Sequence, residues 1–214
     1  NLLGKRHRSI GQRNRQPRTY KIKRMRKILF NDKYCLTQAV LAGEKTMTRR
    51  LLRDNVPLGN WEETVKHLPY KVGDIVAIAQ PYKDIIECLP MYSDAILDEV
   101  GMPRKKYKAG WTNKMFVRAD LMPHHIRITD VKVERLHDIS DEDIMREGIR
   151  KDDYAGGCMY FYNKTYIRKG NRYVEPIYNT TPMRAFASLI YKVCGGEVWR
   201  FNPLVVAYSF ELVN

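Results

Sequence analysis

The chain has 214 residues and a mass of 25.2 kDa, enough for one sizeable core or two small ones. With 44% hydrophobic and 29% charged residues it is too apolar for wholesale disorder. No apolar run approaches the roughly 20 residues of a membrane helix, and the basic start lacks a secretory h-region.

A cytoplasmic location without membrane contact is therefore expected. Cys35, Cys88, Cys158 and Cys194 lie far apart with no C-x-x-C pair. That argues against a zinc ribbon and for free thiols in a reducing compartment. No cofactor is expected.

The net charge of +14 is unevenly spread. Residues 1–24 hold nine Lys and Arg and no acidic residue, which leaves +5 of the +14 for the other 190 residues. This leader has no apolar period and cannot repay the entropy of ordering. It reads either as a basic arm that neutralises phosphates or as a nonessential extension before Met25. The folded unit is placed at 25–214, with insertions near 82–114 and 149–180.

Lys27–Phe30 is predicted as a first strand, and Leu36–Ala42 as a short helix stopped by Gly43. Residues 53–70 read as loop. Ile75–Ala79 is a short apolar run suited to a buried strand. The 82–114 insertion reads as irregular, with one helix at Ser93–Val100, and Met115–Val117 as a strand. Ile126–Leu136 is a longer strand whose alternation slips, because Ile126 and Ile128 have one parity and Val131 and Val133 the other. A bulge near Thr129-Asp130 reconciles them. Ser140 with Asp143 resembles a capping box for a helix to about Glu147, stopped by Gly148. Thr181-Pro182 opens the clearest helix, with Met183, Phe186, Ala187, Ile190 and Cys194 on its buried face and Gly195 after its end. Phe186 and Trp199 are expected in the core. Leu204–Val213 closes the chain as a strand. The class is α+β, with strands too short and scattered for a doubly wound sheet.

The usual signatures of serine hydrolases, P-loop enzymes and dinucleotide enzymes are absent. His124-His125 carries no metal reading, since adjacent strand residues point to opposite faces. Residues 149–180 interleave Tyr160, Phe161, Tyr162, Tyr166, Tyr173 and Tyr178 with Lys164, Arg168, Lys169 and Arg172. Aromatics that stack on bases beside cations that hold phosphates suit single-stranded RNA. The plainer alternative is a two-stranded excursion whose tyrosines pack on the body. The Gly43–Arg50 segment is the most informative: a turn continuing through Thr46 would bring Lys45 and Thr48 to one pocket rim.

Gly43-x-Lys45-x-x-Thr48-x-Arg50 resembles the signature of ASCH (activating signal cointegrator homology) domains, in the phage- and prophage-associated branch. Val72-Gly73-Asp74, Met122-Pro123, Ile128-Thr129-Asp130-Val131 and Trp199 before Asn202-Pro203 follow in the family's order. The resemblance implies a PUA-like small β-barrel with helices at its mouth and a pocket for RNA or a nucleotide. It implies Lys45, Thr48, Arg50 and Arg127 as ligand-binding residues, with Tyr162, Arg168 and Lys169 as an accessory surface. Some ASCH proteins hydrolyse acetylcytidine with a Lys, a Thr three residues later and a Glu on a later strand. Lys45 and Thr48 match the first two, whereas the alignment places Arg127 at the Glu position. Asp130 and Glu134 are the candidate acids if the bulge turns one inward. RNA or nucleotide binding is thus the first expectation, and an amidohydrolase the alternative. An interaction protein without a nucleic-acid role is the third.

Overall fold

The computed structural model describes residues 25–88, 109–154, 156–168 and 171–213. The leader, the Ser93–Val100 helix and Lys169 of the sequence reading lie outside them. Five strands form the main sheet: β1 (Arg26–Ile28), β2 (Met47–Leu51), β3 (Ile75–Ile78), β4 (His125–Arg135) and β8 (Leu204–Val213). Their order is β1-β3-β4-β8-β2, with β1 parallel to β3 and the other pairs antiparallel. The class is mixed α+β. In place of the expected closed barrel, the described residues show an open sheet with β1 and β2 at its edges.

β8 lies inside the sheet between β4 and β2, buried without interruption from Val205 to Phe210 because both faces of the sheet are covered there. Its pairing with β4 shifts register between Ile128 and Asp130, the bulge that the broken alternation requires. The bulge puts Ile128 opposite Phe210 and Val131 opposite Tyr208, so both hydrophobic sets reach one face. On the other face Lys132 and Arg49 flank Ala207.

Helix α1 (Leu36–Leu41) precedes β2, and α2 (Trp61–His67) lies in a stretch expected to be loop. Its signals are local: Asn60 caps it, Glu62 and Glu63 occupy the first turn, and Lys66 and His67 the last. Only Thr64 of this helix is buried, so no apolar period announces it. Helix α3 (Tyr82–Cys88) opens the insertion expected to be irregular. The expected strand at Met115–Val117 is instead a single 3-10 turn, Lys114–Phe116, capped by Asn113. Met115 and Phe116 are exposed, and Lys27 Nζ holds the backbone carbonyls of Met115 (2.7 Å) and Val117 (2.6 Å).

Helix α4 (Asp141–Arg146) has the expected Ser140 cap, and Gly148 turns the chain at φ +97°. The second insertion forms a three-stranded antiparallel sheet rather than two strands: β5 (Arg150–Tyr154), β6 (Gly157–Arg168) and β7 (Asn171–Asn179). Helix α5 (Pro182–Cys194) follows its Thr181 cap and buries Ala185, Phe186 and Leu189. Cys194 of the expected buried face is exposed, because the end of that face lines a pocket rather than the core. Helix α6 (Gly196–Phe201) places Trp199 half-buried between the His137 ring (centroids 4.2 Å apart) and Phe186 (6.1 Å), at the core margin rather than inside it. No described helix is long and apolar enough to cross a membrane.

Candidate functional site

The site begins where α1 ends. Gly43 takes φ +73°, and the amides of Glu44 and Lys45 both donate to the Ala39 carbonyl (2.9 and 3.0 Å). The Thr46 amide donates to Arg146 O and its carbonyl accepts from the Phe210 amide, each at 2.9 Å. The turn therefore runs through Thr46, and Lys45 leaves it before β2 begins. Within β2, Thr48 and Arg50 share a face with their partners Tyr208 and Val206, whereas Arg49 points to the opposite face.

Lys45 is only 2% exposed. Its Nζ donates to the Glu147 carbonyl (2.6 Å) and to Glu147 Oε2 (2.5 Å). Glu147 follows the last residue of α4, and Gly148 next to it packs on the Lys45 stem, where a Cβ would sit 3.4 Å from Lys45 Cβ. Burial pushes the Lys45 amine below its ordinary pKa. Glu147 opposes that shift, and the Arg50 and Arg49 charges add to it.

These groups open on a cavity of about 730 Å³, of a size for a small organic ligand. Lys45, Thr48 and Glu147 are among its lining residues. Phe186, Leu189, Ile190 and Val193 of α5 supply an apolar wall, and Arg50 and the Thr112–Met115 segment complete it. Lys114 ties that segment to the body through the Phe30 carbonyl, Asp32 Oδ1 (2.7 Å) and Thr37 Oγ1 (3.1 Å). The Arg50 guanidinium donates to Leu29 O (2.5 Å) and lies 5.8 Å from the Phe30 ring centroid.

Behind the pair lies a network of buried charges. Arg49, also 2% exposed at its side chain, contacts Glu134 Oε1 (2.9 and 2.6 Å), Asp143 Oδ2 (3.1 Å) and Glu147 Oε1 (3.1 Å). Lys132 bridges Glu134 (3.1 Å) and Asp143 (2.7 Å), and Arg146 reaches Asp143 Oδ1 (3.2 Å). For Asp143, burial raises the carboxyl pKa, but Lys132 and Arg49 outweigh it and leave the group below its ordinary value. A lowered native pKa gives stability that is present above the unfolded value, about 3.9, and is lost as pH falls through the native one. Thermal stability is therefore expected to fall steeply below about pH 4. Lys132→Met should move that fall to higher pH, as read in melting curves against pH; an unmoved curve would remove Lys132 from the network's balance.

The sequence-predicted residues divide sharply. Lys45, Thr48 and Arg50 line one cavity. Arg127 does not join them: it is exposed on β4 and pairs with Glu211 (2.9 Å), because its strand position faces solvent. Arg127→Ala should change stability by less than about 0.5 kcal/mol, as exposed pairs do, and leave ligand affinity unaltered in calorimetry. Asp130 is exposed at the bulge, so the bulge turns it outward. Glu134 faces Arg49 on the side of the sheet opposite Thr48. Tyr162 is a core residue, bonded to Ser188 Oγ (2.9 Å) and edge-on to Tyr34. Arg168 is exposed at the end of β6. Three other cations of this sheet pair with carboxylates: Arg150 with Glu44, Lys151 with Asp153 and Lys164 with Glu175.

Sequence reasoning missed Glu147 and Arg49. Glu147 reads as the last residue of a capped helix, and nothing local says that it meets a lysine 102 positions away. The one local mark is its place just before Gly148, which turns the chain at the end of the helix but names no partner for the side chain. Among the described residues no group of His, Cys, Asp and Glu side chains is arranged to hold a metal. Comparison with protein-family models, curated proteins and solved structures finds no match.

Proposed function

We propose that the cavity takes a nucleoside-sized ligand and hydrolyses an amide on it, as an ASCH-type amidohydrolase of PUA-like descent. The observation that carries this reading is the convergence of a buried lysine, a threonine and a carboxylate on one cavity, with Glu147 taking the part for which Asp130 and Glu134 were the candidates.

The chemistry follows from those groups. A threonine hydroxyl attacks an acyl carbon only when a base takes its proton. A protonated lysine has no lone pair, and burial favours the neutral amine that has one. Thr48 Oγ1 bonds to the amide carbon while Lys45 accepts the hydroxyl proton. Lys45 then gives that proton to the leaving nitrogen as the C–N bond breaks, which releases the free amine. Water attacks the acyl-threonine in the second half and loses a proton to Lys45, which passes it to Thr48 Oγ1 as the acyl C–O bond breaks and the carboxylic acid departs. Glu147 keeps the amine oriented and compensates its charge whenever it is protonated. Arg50 is the nearby fixed cation, suited to a developing oxyanion or to a phosphate on the ligand.

The test is acetate release from N4-acetylcytidine by the purified chain beside Thr48→Ala. Turnover that falls by at least about 100-fold in the folded variant supports the reading. No release by the wild type would refute it.

A second reading, RNA binding at the outer sheet, is favoured by one observation. Tyr166 and Tyr173 stack at 5.4 Å and 17° near the exposed Arg168 and Arg172. It is separable, because Tyr166→Ala should weaken single-stranded RNA without touching acetate release.

A further inference from the structure

Arg49 lies outside the Gly43-x-Lys45-x-x-Thr48-x-Arg50 pattern, and its side chain points away from Thr48. Yet its guanidinium is as buried as the Lys45 amine, and one of its nitrogens touches Glu147 directly. The Glu147 carboxylate is thereby divided: Oε2 meets Lys45 at 2.5 Å and Oε1 meets Arg49 at 3.1 Å. The remaining Arg49 contacts go to the Met47 sulfur (3.1 Å) and to Glu134 and Asp143, two carboxylates that also hold the partly exposed Lys132.

We propose that Arg49 is a positioning residue of the pocket: it holds Glu147 Oε1 from behind, aims Oε2 at Lys45 and governs how firmly that pair keeps its proton. The argument is geometric and electrostatic. A carboxylate shared between two cations gives each less than it would give one alone. With Arg49 in place, Lys45 receives half of a shared partner and also feels a second fixed positive charge. With Arg49 gone, Lys45 would have Glu147 to itself and hold its proton more tightly. Glu134 acts in the opposite sense. It engages two guanidinium nitrogens, so it draws Arg49 away from Glu147. The other charged or titratable groups around the pair are Arg50 on β2, Lys132 on β4, Asp143 and Arg146 on α4, and Cys194 on α5. All of them are retained in the variants below.

The inference deepens the reading of Lys45 as the proton carrier, but its test needs no substrate. The Lys45 Nζ resonance is titrated by NMR in the full chain, in the wild type, Arg49→Met, Arg49→Lys and Glu134→Gln. Arg49→Met should raise the proton affinity of Lys45 about tenfold, one pH unit. Arg49→Lys should restore most of the wild-type value. Glu134→Gln should shift the titration the other way, because Arg49 then leans on Glu147 and a nearby negative charge is gone. A structural loosening would admit water and move both variants in one direction. Shifts of opposite sign support the proposal; shifts of equal sign, or none, overturn it. If Arg49→Met does not fold, the sign of the Glu134→Gln shift decides alone. A chain that shows these shifts but releases no acetate would refute the hydrolase reading and leave the role of Arg49 intact.

Discussion

Glu147→Gln is expected to reduce acetate release from N4-acetylcytidine by at least about 100-fold, because Lys45 then carries the proton without the carboxylate that orients it and compensates its charge. The same variant should lose about 3–5 kcal/mol of stability at a pH where Lys45 is protonated, because the buried ammonium then lacks its counter-charge. A third outcome separates the two roles. Replacing both partners, Lys45→Met with Glu147→Gln, removes the uncompensated charge and should recover much of the stability while staying inactive. Urea melts and acetate assays on the three chains check this directly. Equal stability in the single and double variants would mean that the pair is not the buried unit described above. Full activity in Glu147→Gln would remove the carboxylate from the mechanism.

The other large effect belongs to the core. Phe186→Ala should cost about 3–5 kcal/mol, the range for a large buried aromatic. Its ring is almost wholly buried, touches Trp199 and forms part of the pocket wall. Trp199→Ala should cost less although the side chain is larger. It is half-buried and rests on His137 just beyond the end of β4, so less apolar area returns to water on unfolding. Chemical denaturation of both variants tests the order. A larger loss at Trp199 than at Phe186 would invert the assignment of core and margin.

The strands that build the main sheet were legible because hydrophobic alternation and burial are one signal there. The parity slip between Ile128 and Val131 located the bulge, since two apolar pairs of opposite phase can share a face only if one residue is extra. The caps of α4 and α5 were equally legible, because Ser140 and Thr181 carry their signal in the first turn. Helix α2 was not, since it buries only Thr64 and its signals were caps and charges around a polar stretch. The Met115–Val117 turn misled for a related reason: Met115 and Phe116 read as apolar strand residues, but their side chains face solvent.

The site was half legible. Lys45, Thr48 and Arg50 stand close in sequence, and the turn that joins them follows from Gly43. Glu147 reaches Lys45 only through the docking of α4 on the Thr46 backbone, a long-range contact that no local pattern encodes. Looking for the acid on β4 followed from the family resemblance, but β4 supplies Glu134 to the other face of the sheet. Tyr162 failed as a ligand residue for the opposite reason. Its place in an aromatic, basic stretch suggested a surface, yet its hydroxyl is satisfied by Ser188 inside the core.

The central claim is that Thr48 becomes acylated in a pocket where Lys45 moves the proton. Mass spectrometry of the chain quenched during turnover of N4-acetylcytidine reads this most directly. An acetyl group on the peptide that contains Thr48, absent from Thr48→Ala and from chain never exposed to the substrate, is the predicted result. Acetate release with the peptide unmodified, unchanged in Thr48→Ala, would contradict it.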